Sequence, residues 1–361
     1  MNMNVAKQLR SRLRGHGNMH GGESLVADVL TVHAREQALA CLAAQVDEGD
    51  PEARKLLENA RLGLDYLRTE GGILTPAMRV GIEAIILADG SRPALLVSND
   101  SIDFEDPLIG SWLSRLSKSK PMLRDALSKI ARIAMPLANG TVQTLGTGFL
   151  IGNGLLATNR HVLQEMAVLN DSGTWRFKDD LIIDFGGEYH RTHAPAALAR
   201  PVTVVRCGTE LIQQLGEPRH LDFALIEIQA CANHRLPTAL QVFEDSDAQV
   251  FKPGAPVVTI GFPAKPSFGM EDPKVLFKLF KGVFDVKRLS PGLVGDSLGQ
   301  VPGDSQPPRC FSHDASTLGG NSGGCVIGLD DTWQVIGLHF GGRSGEYNLA
   351  HDIRAVLETY S

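Results

Sequence analysis

A seryl hydroxyl becomes a nucleophile when an imidazole can take its proton, a carboxylate orients that imidazole, and nearby amides receive the developing oxyanion. Three stretches of this 361-residue chain supply those residue types. GTGFLIGNGLLATNRHVL, residues 146 to 163, reads as two short strands joined by Gly152-Asn153-Gly154 and leading into His161. A histidine at a strand end is held rigidly and can still face a cleft. HLDFALIEI, residues 220 to 228, sets Asp222 at the head of an apolar strand. Burial there disfavours an unpartnered charge, and an imidazole N–H is a fitting partner. STLGGNSGGCVIG, residues 316 to 328, places Ser322 between Gly319-Gly320 and Gly323-Gly324. Glycines permit unusual backbone angles and close approach of a substrate backbone. The amides of Gly320 and Ser322 can then converge on an oxyanion, an arrangement worth roughly 3–4 kcal/mol per donor.

Each stretch alone has a plainer reading: a structural histidine, a turn or capping aspartate, an inert Gly-Ser loop. Asp184 in LIIDFGG is a competing carboxylate. The order His, Asp, Ser is what distinguishes the set, because it is the order of the chymotrypsin architecture among triad enzymes. From about residue 133 to 355 the chain resembles trypsin-like serine peptidases, and especially their bacterial glutamyl endopeptidase branch, through LLATNRHV, LDFALI, TLGGNSGG and VIGLHFGG. The resemblance implies two packed six-stranded antiparallel β-barrels with the active site between them. It also implies hydrolysis of peptide bonds through an acyl-enzyme, with a protein or peptide as substrate and no cofactor or metal. The alternative function is a catalytically silent binding module that keeps the peptidase fold.

The same resemblance bears on specificity. Trypsin binds Lys and Arg with an Asp six residues before its nucleophile; here Ser316 stands there, so a basic preference is not expected. Glutamyl endopeptidases use a Thr or Ser five residues before the nucleophile and a His in the downstream strand, which Thr317 and His339 match. Period-two alternation puts His339 on one face with Gly337 and Gly341, a face that would line the pocket, with Arg343 at the rim. Cleavage after Glu, or after Asp, is the implied preference. The alternative is that His339 hydrogen-bonds structurally and the pocket takes small or mixed residues. Digestive members of the family carry an Asp just before the nucleophile that pairs with a freshly cut N-terminus. Asn321 is neutral and needs no such ammonium, which fits residues kept upstream of the barrels.

The elements that position these residues divide by texture. Residues 1–130 read as a mostly helical regulatory or adaptor domain, able to take a protein partner. Helices are expected over Ser24–Val46, from Asp50-Pro51 to about Leu67, from Thr75-Pro76 to about Ala88, and from Asp106-Pro107 onward to about Arg132, with a short strand at Ala94–Val97. Residues 131–361 read as the mainly β peptidase domain, with barrels over about 133–245 and 250–350 and a closing helix at about 352–359. Short apolar runs cut by Gly, Pro, Asn and Asp, such as Leu155–Thr158, Leu181–Phe185, Gly282–Val286 and Val335–Phe340, are its strands. KLFKGVFDVKRL, residues 278 to 289, reads as a strand pair with a solvated basic face.

A formal charge of −6 argues against a dedicated nucleic-acid binder. No run approaches the roughly 20 apolar residues of a membrane span. The basic start, with Lys7, Arg10, Arg12 and Arg14, lacks the apolar core of a secretory signal, so a frayed terminus and a cytoplasmic protein are expected. Its GHGNMHGG, with His16 and His20, reads as a mobile loop rather than a metal site. Five scattered cysteines form no CxxC pair, and Val162 follows His161 where secreted relatives often carry a bonded Cys. Reduced, buried thiols are expected.

Overall fold

Proline in a first helical turn and glycine or asparagine between apolar runs set the segment ends of this chain. The computed structural model describes residues 32–43, 51–69, 92–137, 141–192, 197–245, 248–265, 280–329, 333–343 and 347–360, with residues 75, 77, 78 and 81 between them. The basic start, the Thr75–Ala88 expectation beyond those four positions, and His16 and His20 lie outside the described residues.

Helix α1 covers Val32–Ala43, and α2 covers Pro51–Thr69 with proline at its first position. Leu56, Ala60, Leu64 and Leu67 recur at three- and four-residue spacing on α2 and are all buried. Arg35 of α1 pairs with Asp65 of α2. Strands β1 (Leu95–Ser98) and β2 (Ser101–Ile102) form a hairpin whose turn, Asn99-Asp100, has φ of 52° and 57°. Two consecutive positive values are what a two-residue turn matching strand twist requires. A 3-10 turn over Pro107–Trp112, capped by the Asp106 carboxylate accepting from the Leu108 amide, leads into α3 (Leu113–Lys118) and α4 (Lys120–Leu127).

The first barrel follows. It is built from β3 (Ile130–Pro136), β4 (Val142–Gly152) and β5 (Leu155–Thr158), then helix α5 (Arg160–Met166) and a small β6–β7 pair (Ala167–Leu169, Trp175–Phe177). Strands β8 (Ile182–Asp184), β9 (Leu198–Cys207) and β10 (Ala224–Ala230) complete it, closed in the order β10-β5-β4-β3-β8-β9. Leu150, Leu156, Val162, Ile183, Phe185 and Ile226 fill its core.

The second unit contains β11 (Pro256–Gly261), β12 (Arg288–Leu293), β13 (Cys310–His313), β14 (Cys325–Gly328), β15 (Val335–Arg343) and β16 (Tyr347–Asp352), followed by helix α6 (Ile353–Glu358). The strands expected to form a second six-stranded barrel lie in one eight-stranded sheet, ordered β13-β16-β15-β14-β11-β12-β1-β2. An antiparallel bridge, Val294 to His313, and main-chain hydrogen bonds from Gly295 to Ser312, from Ser312 to Asp296 and from Asp314 to Leu293 join the end of β12 to β13, so the six C-terminal strands curl until their ends meet. The hairpin from upstream then adds to the free side of β12, with Leu95 opposite Leu289.

The texture change near residue 130 does not coincide with a break in packing. Leu95, Val97, Ile109, Trp112, Leu116 and Leu123 share one core with Ile130, Val257, Ile260 and Phe311. Arg92 and Asp314 form a buried two-point ion pair at 2.6 and 2.7 Å. The basic stretch is also corrected. Gly282–Val286 forms no strand, and Lys287 and Arg288 are buried rather than solvated. Lys287 Nζ donates to the carbonyls of Leu127 and Phe185 and reaches the Glu188 carboxylate at 3.3 Å. Arg288 donates to the Phe280 and Val283 carbonyls. Burial lowers both cations below their ordinary range, Arg288 to about 10. The two side chains act as internal struts held largely by main-chain oxygens, with the Glu188 carboxylate beside Lys287.

Candidate active site

His161 occupies the second position of α5, directly after β5, rather than a strand end. Asn159, the residue before the helix, donates its side-chain amide to the Asp222 carbonyl at 2.8 Å. Arg160 is buried and donates to the Gly208 carbonyl. Together these contacts fix the short helix against the loop that carries Asp222.

Asp222 is 1% exposed, at the entry to β10. Its Oδ2 lies 2.6 Å from His161 Nδ1, and its Oδ1 accepts the His161 main-chain amide at 3.0 Å. A carboxylate next to Nδ1 places the ring proton there and leaves Nε2 unprotonated, the tautomer a general base needs. The Asp222 amide in turn donates to Nε2 of His351, at 3.0 Å, from the last turn of β16. Asp184, the competing carboxylate, is committed elsewhere: it pairs with Arg132 at 2.9 Å and accepts the Gly186 amide.

Ser322 is half-buried in the loop between β13 and β14, and its carbonyl accepts the Thr147 amide at 2.8 Å. The Thr147 hydroxyl donates to the Gly320 carbonyl at 2.7 Å, so one residue of β4 pins the loop on both sides of Asn321. Gly320 and Gly323 have φ of 89° and 85°, in the region that favours glycine. A Cβ on Gly323 would stand 2.1 Å from the Thr147 carbonyl oxygen, and one on Gly320 would stand 2.4 Å from the Phe262 carbonyl oxygen. No other residue type fits either place. Among the described residues no main-chain or side-chain group accepts from the Gly320 or Ser322 amides. Asn321 is buried, with its side chain against Gly261.

The expected specificity residues are placed less as the sequence suggests. His339 is 2% exposed, with Nδ1 3.2 Å from Nε2 of His313. Burial first, then the neighbouring His313 and His161, hold it well below the usual histidine range, while a hydrogen bond to the Leu349 main chain acts in the opposite sense. His339 is therefore neutral. The Thr317 hydroxyl donates to Oδ1 of Asn348 at 2.5 Å, and Asn348 donates to the Ala315 carbonyl. Ser316 turns its hydroxyl to the Arg92 carbonyl at 2.6 Å. Gly337 does not share an open face with His339, because a Cβ there would meet the Phe311 ring at 2.6 Å. Gly341 sits after a bulge in the β15–β16 register and lies against Gly216 of the loop that precedes Asp222. Arg343 ends β15, and its side chain lies outside the described residues.

His351 was not legible in the sequence. Its partner is 129 residues away, and LAHDIRA carries no local signal of contact with the Asp222 loop. Four described cysteines, Cys207, Cys231, Cys310 and Cys325, are free thiols, and burial raises Cys325 to about 12. Among the described residues no cluster of three His, Cys, Asp or Glu could hold a metal ion, and no helix is long and apolar enough to cross a membrane.

Comparison with known proteins shows the family. The trypsin-like peptidase domain family matches residues 146–338. A protein of Lysobacter enzymogenes described as a probable serine protease is 32% identical over 352 residues, covering 92% of this chain and 88% of its own length. A second probable serine protease of that organism is 26% identical over 229 residues, 60% of this chain and 30% of the relative. Among solved structures, the active form of the Rv3671c protease from M. tuberculosis aligns at 18% identity and TM-score 0.38, covering 73% of this chain and 88% of that one. A serine endoprotease from Yersinia pestis aligns at 16% identity and TM-score 0.40, covering 65% and 62%.

Proposed function

The chain belongs to the trypsin-like peptidase family and is a serine endopeptidase, and we propose that Ser322 is its nucleophile, His161 its general base and Asp222 the carboxylate that orients the base. One observation carries this reading: a buried Asp222 spends one oxygen on the His161 ring and the other on the His161 main chain. A carboxylate used that way fixes both the position and the tautomer of one imidazole.

In the reaction, Nε2 of His161 takes the Ser322 proton as Oγ attacks the scissile carbonyl carbon. The negative charge on the former carbonyl oxygen is received by the amides of Gly320 and Ser322. The imidazolium, held against Asp222, then passes its proton to the departing amine, leaving the acyl-enzyme. Water repeats the sequence, with His161 again as base, and releases the acid. Labelling of the full chain with a fluorophosphonate tests this assignment. Wild type should be labelled once and Ser322→Ala not at all. Labelling of Ser322→Ala would overturn it, and an unlabelled wild type would favour the silent binding module.

Within that assignment, the primary pocket takes small or mixed uncharged side chains. A neutral, buried His339 brings no positive charge to a substrate carboxylate, and the Thr317 hydroxyl is already donated to Asn348. Peptides differing only in the residue before the scissile bond decide the point. Cleavage after Glu at ten times the rate after Ala or Gln would replace this reading with the acidic preference.

A further inference from the structure

His351 is 0% exposed and stands at the end of β16, in the sheet that also supplies Ser322, whereas Asp222 belongs to the first barrel. The ring is stacked on Phe340 with centroids 3.9 Å apart and planes 9° from parallel, so it cannot swing. Nε2 faces the Asp222 amide at 3.0 Å, and Nδ1 faces Cys310 Sγ at 3.3 Å. An amide can only donate, so Nε2 must be the unprotonated nitrogen and Nδ1 must carry the proton. Cys310 then accepts from Nδ1 and donates its own thiol hydrogen to the Pro218 carbonyl, 3.4 Å away in the loop that leads to Asp222. Every donor along the path meets an acceptor, and both ends of the path lie on the Asp222 loop.

We propose that His351, with Cys310 behind it, is a positioning residue that fixes the Asp222 loop, and through it His161, against the sheet carrying Ser322. The inference rests on the triad assignment above and adds a role to a residue outside it. The triad needs groups from both units at one point. Asp222 sits on a loop of one unit, so the distance between base and nucleophile depends on what ties that loop to the other. His351 supplies the tie at the main chain of the aspartate itself. It touches neither substrate nor reacting atoms, so its removal acts on the chemical step through geometry rather than on substrate binding.

The experiment compares the full-length wild type with His351→Leu and His351→Gln on one peptide substrate, with Ser322→Ala as reference. Gln can present an amide oxygen to the Asp222 amide; Leu cannot. His351→Leu is expected to lower kcat about 30-fold with KM within twofold, and His351→Gln to recover most of that loss. The endpoint stoichiometry of fluorophosphonate labelling, read by intact mass, counts competent molecules separately from the labelling rate, which should fall with kcat. Selective 15N labelling of histidine gives an independent readout in the unaltered protein. His351 Nε2 should show the shift of an unprotonated ring nitrogen, and a protonated Nε2 overturns the proposal even where a variant fails to fold. A His351→Leu enzyme with wild-type kcat, beside an inactive Ser322→Ala, overturns this inference alone. An active Ser322→Ala overturns the triad assignment and the inference with it.

Discussion

Replacing Arg92 by Met tests whether the segment upstream of the barrels is part of the folded peptidase. Arg92 is 1% exposed, and its guanidinium meets both oxygens of Asp314 at 2.6 and 2.7 Å. Its carbonyl accepts the Ser316 hydroxyl, so one residue ties the upstream segment to the loop that leads to Ser322. Removing one partner of a buried pair leaves an uncompensated charge and costs about 3–5 kcal/mol. Asp314 keeps the Leu293 amide as a donor, which places the expected loss near the lower end, about 3 kcal/mol. For a unit of this size that is a fall of about 6–12 °C in Tm. Chemical unfolding followed by tryptophan fluorescence reads the change, because Trp112 lies beside the guanidinium. The double variant Arg92→Met, Asp314→Leu removes both charges and should recover most of the loss. A single variant within about 0.5 kcal/mol of wild type, or a double variant no better than the single, would refute the reasoning.

Asp222→Asn keeps the shape of the carboxylate but removes its charge and its hold on the tautomer, so kcat should fall about 10⁴-fold while the unfolding midpoint moves little. Gly323→Ala forces a Cβ to 2.1 Å from the Thr147 carbonyl oxygen and should abolish both labelling and hydrolysis; an active variant would mean the loop is held otherwise. Burial lowers His351 to about 4 from an ordinary 6.5. The unfolded chain thus binds the extra proton first, and stability present above pH 6.5 is lost as pH falls towards 4, by about 3 kcal/mol. Urea midpoints between pH 7 and 4 should show the slope, and His351→Gln should flatten it.

Much of the candidate site was readable because its signals are local. Leu155–Thr158 is a strand as the residues suggest, and His161 follows it at once; the glycines around Ser322 announce a strained loop. What the sequence hides is set by contacts between distant segments. Strand β12 contains Pro291, which argues against a strand, yet β1 pairs only as far as Leu289, so β12 is an edge at Pro291, where proline is tolerated. Strand β13 is buried at all four positions and shows no alternation to read. Alternation along β15 predicted an open face for His339 and Gly341, but a bulge between them breaks the period. The charges of Lys287 and Arg288 suggested solvent, and only the folded chain supplies the carbonyls that receive them.

The hairpin laid along β12 has a bearing on how this protein behaves in a crowded solution. An uncovered β12 would offer the unpaired main-chain groups at its Arg288–Ser290 end, beside the apolar Leu289, a template on which other chains can add strands. β2 ends the sheet instead with two residues, set between Asp100 and Asp103. So short and acidic a border gives an incoming strand nothing to extend. A chain beginning after Ile102 would lose that border together with Arg92, Leu95 and Val97, and it should self-associate in light scattering as well as unfold at lower denaturant.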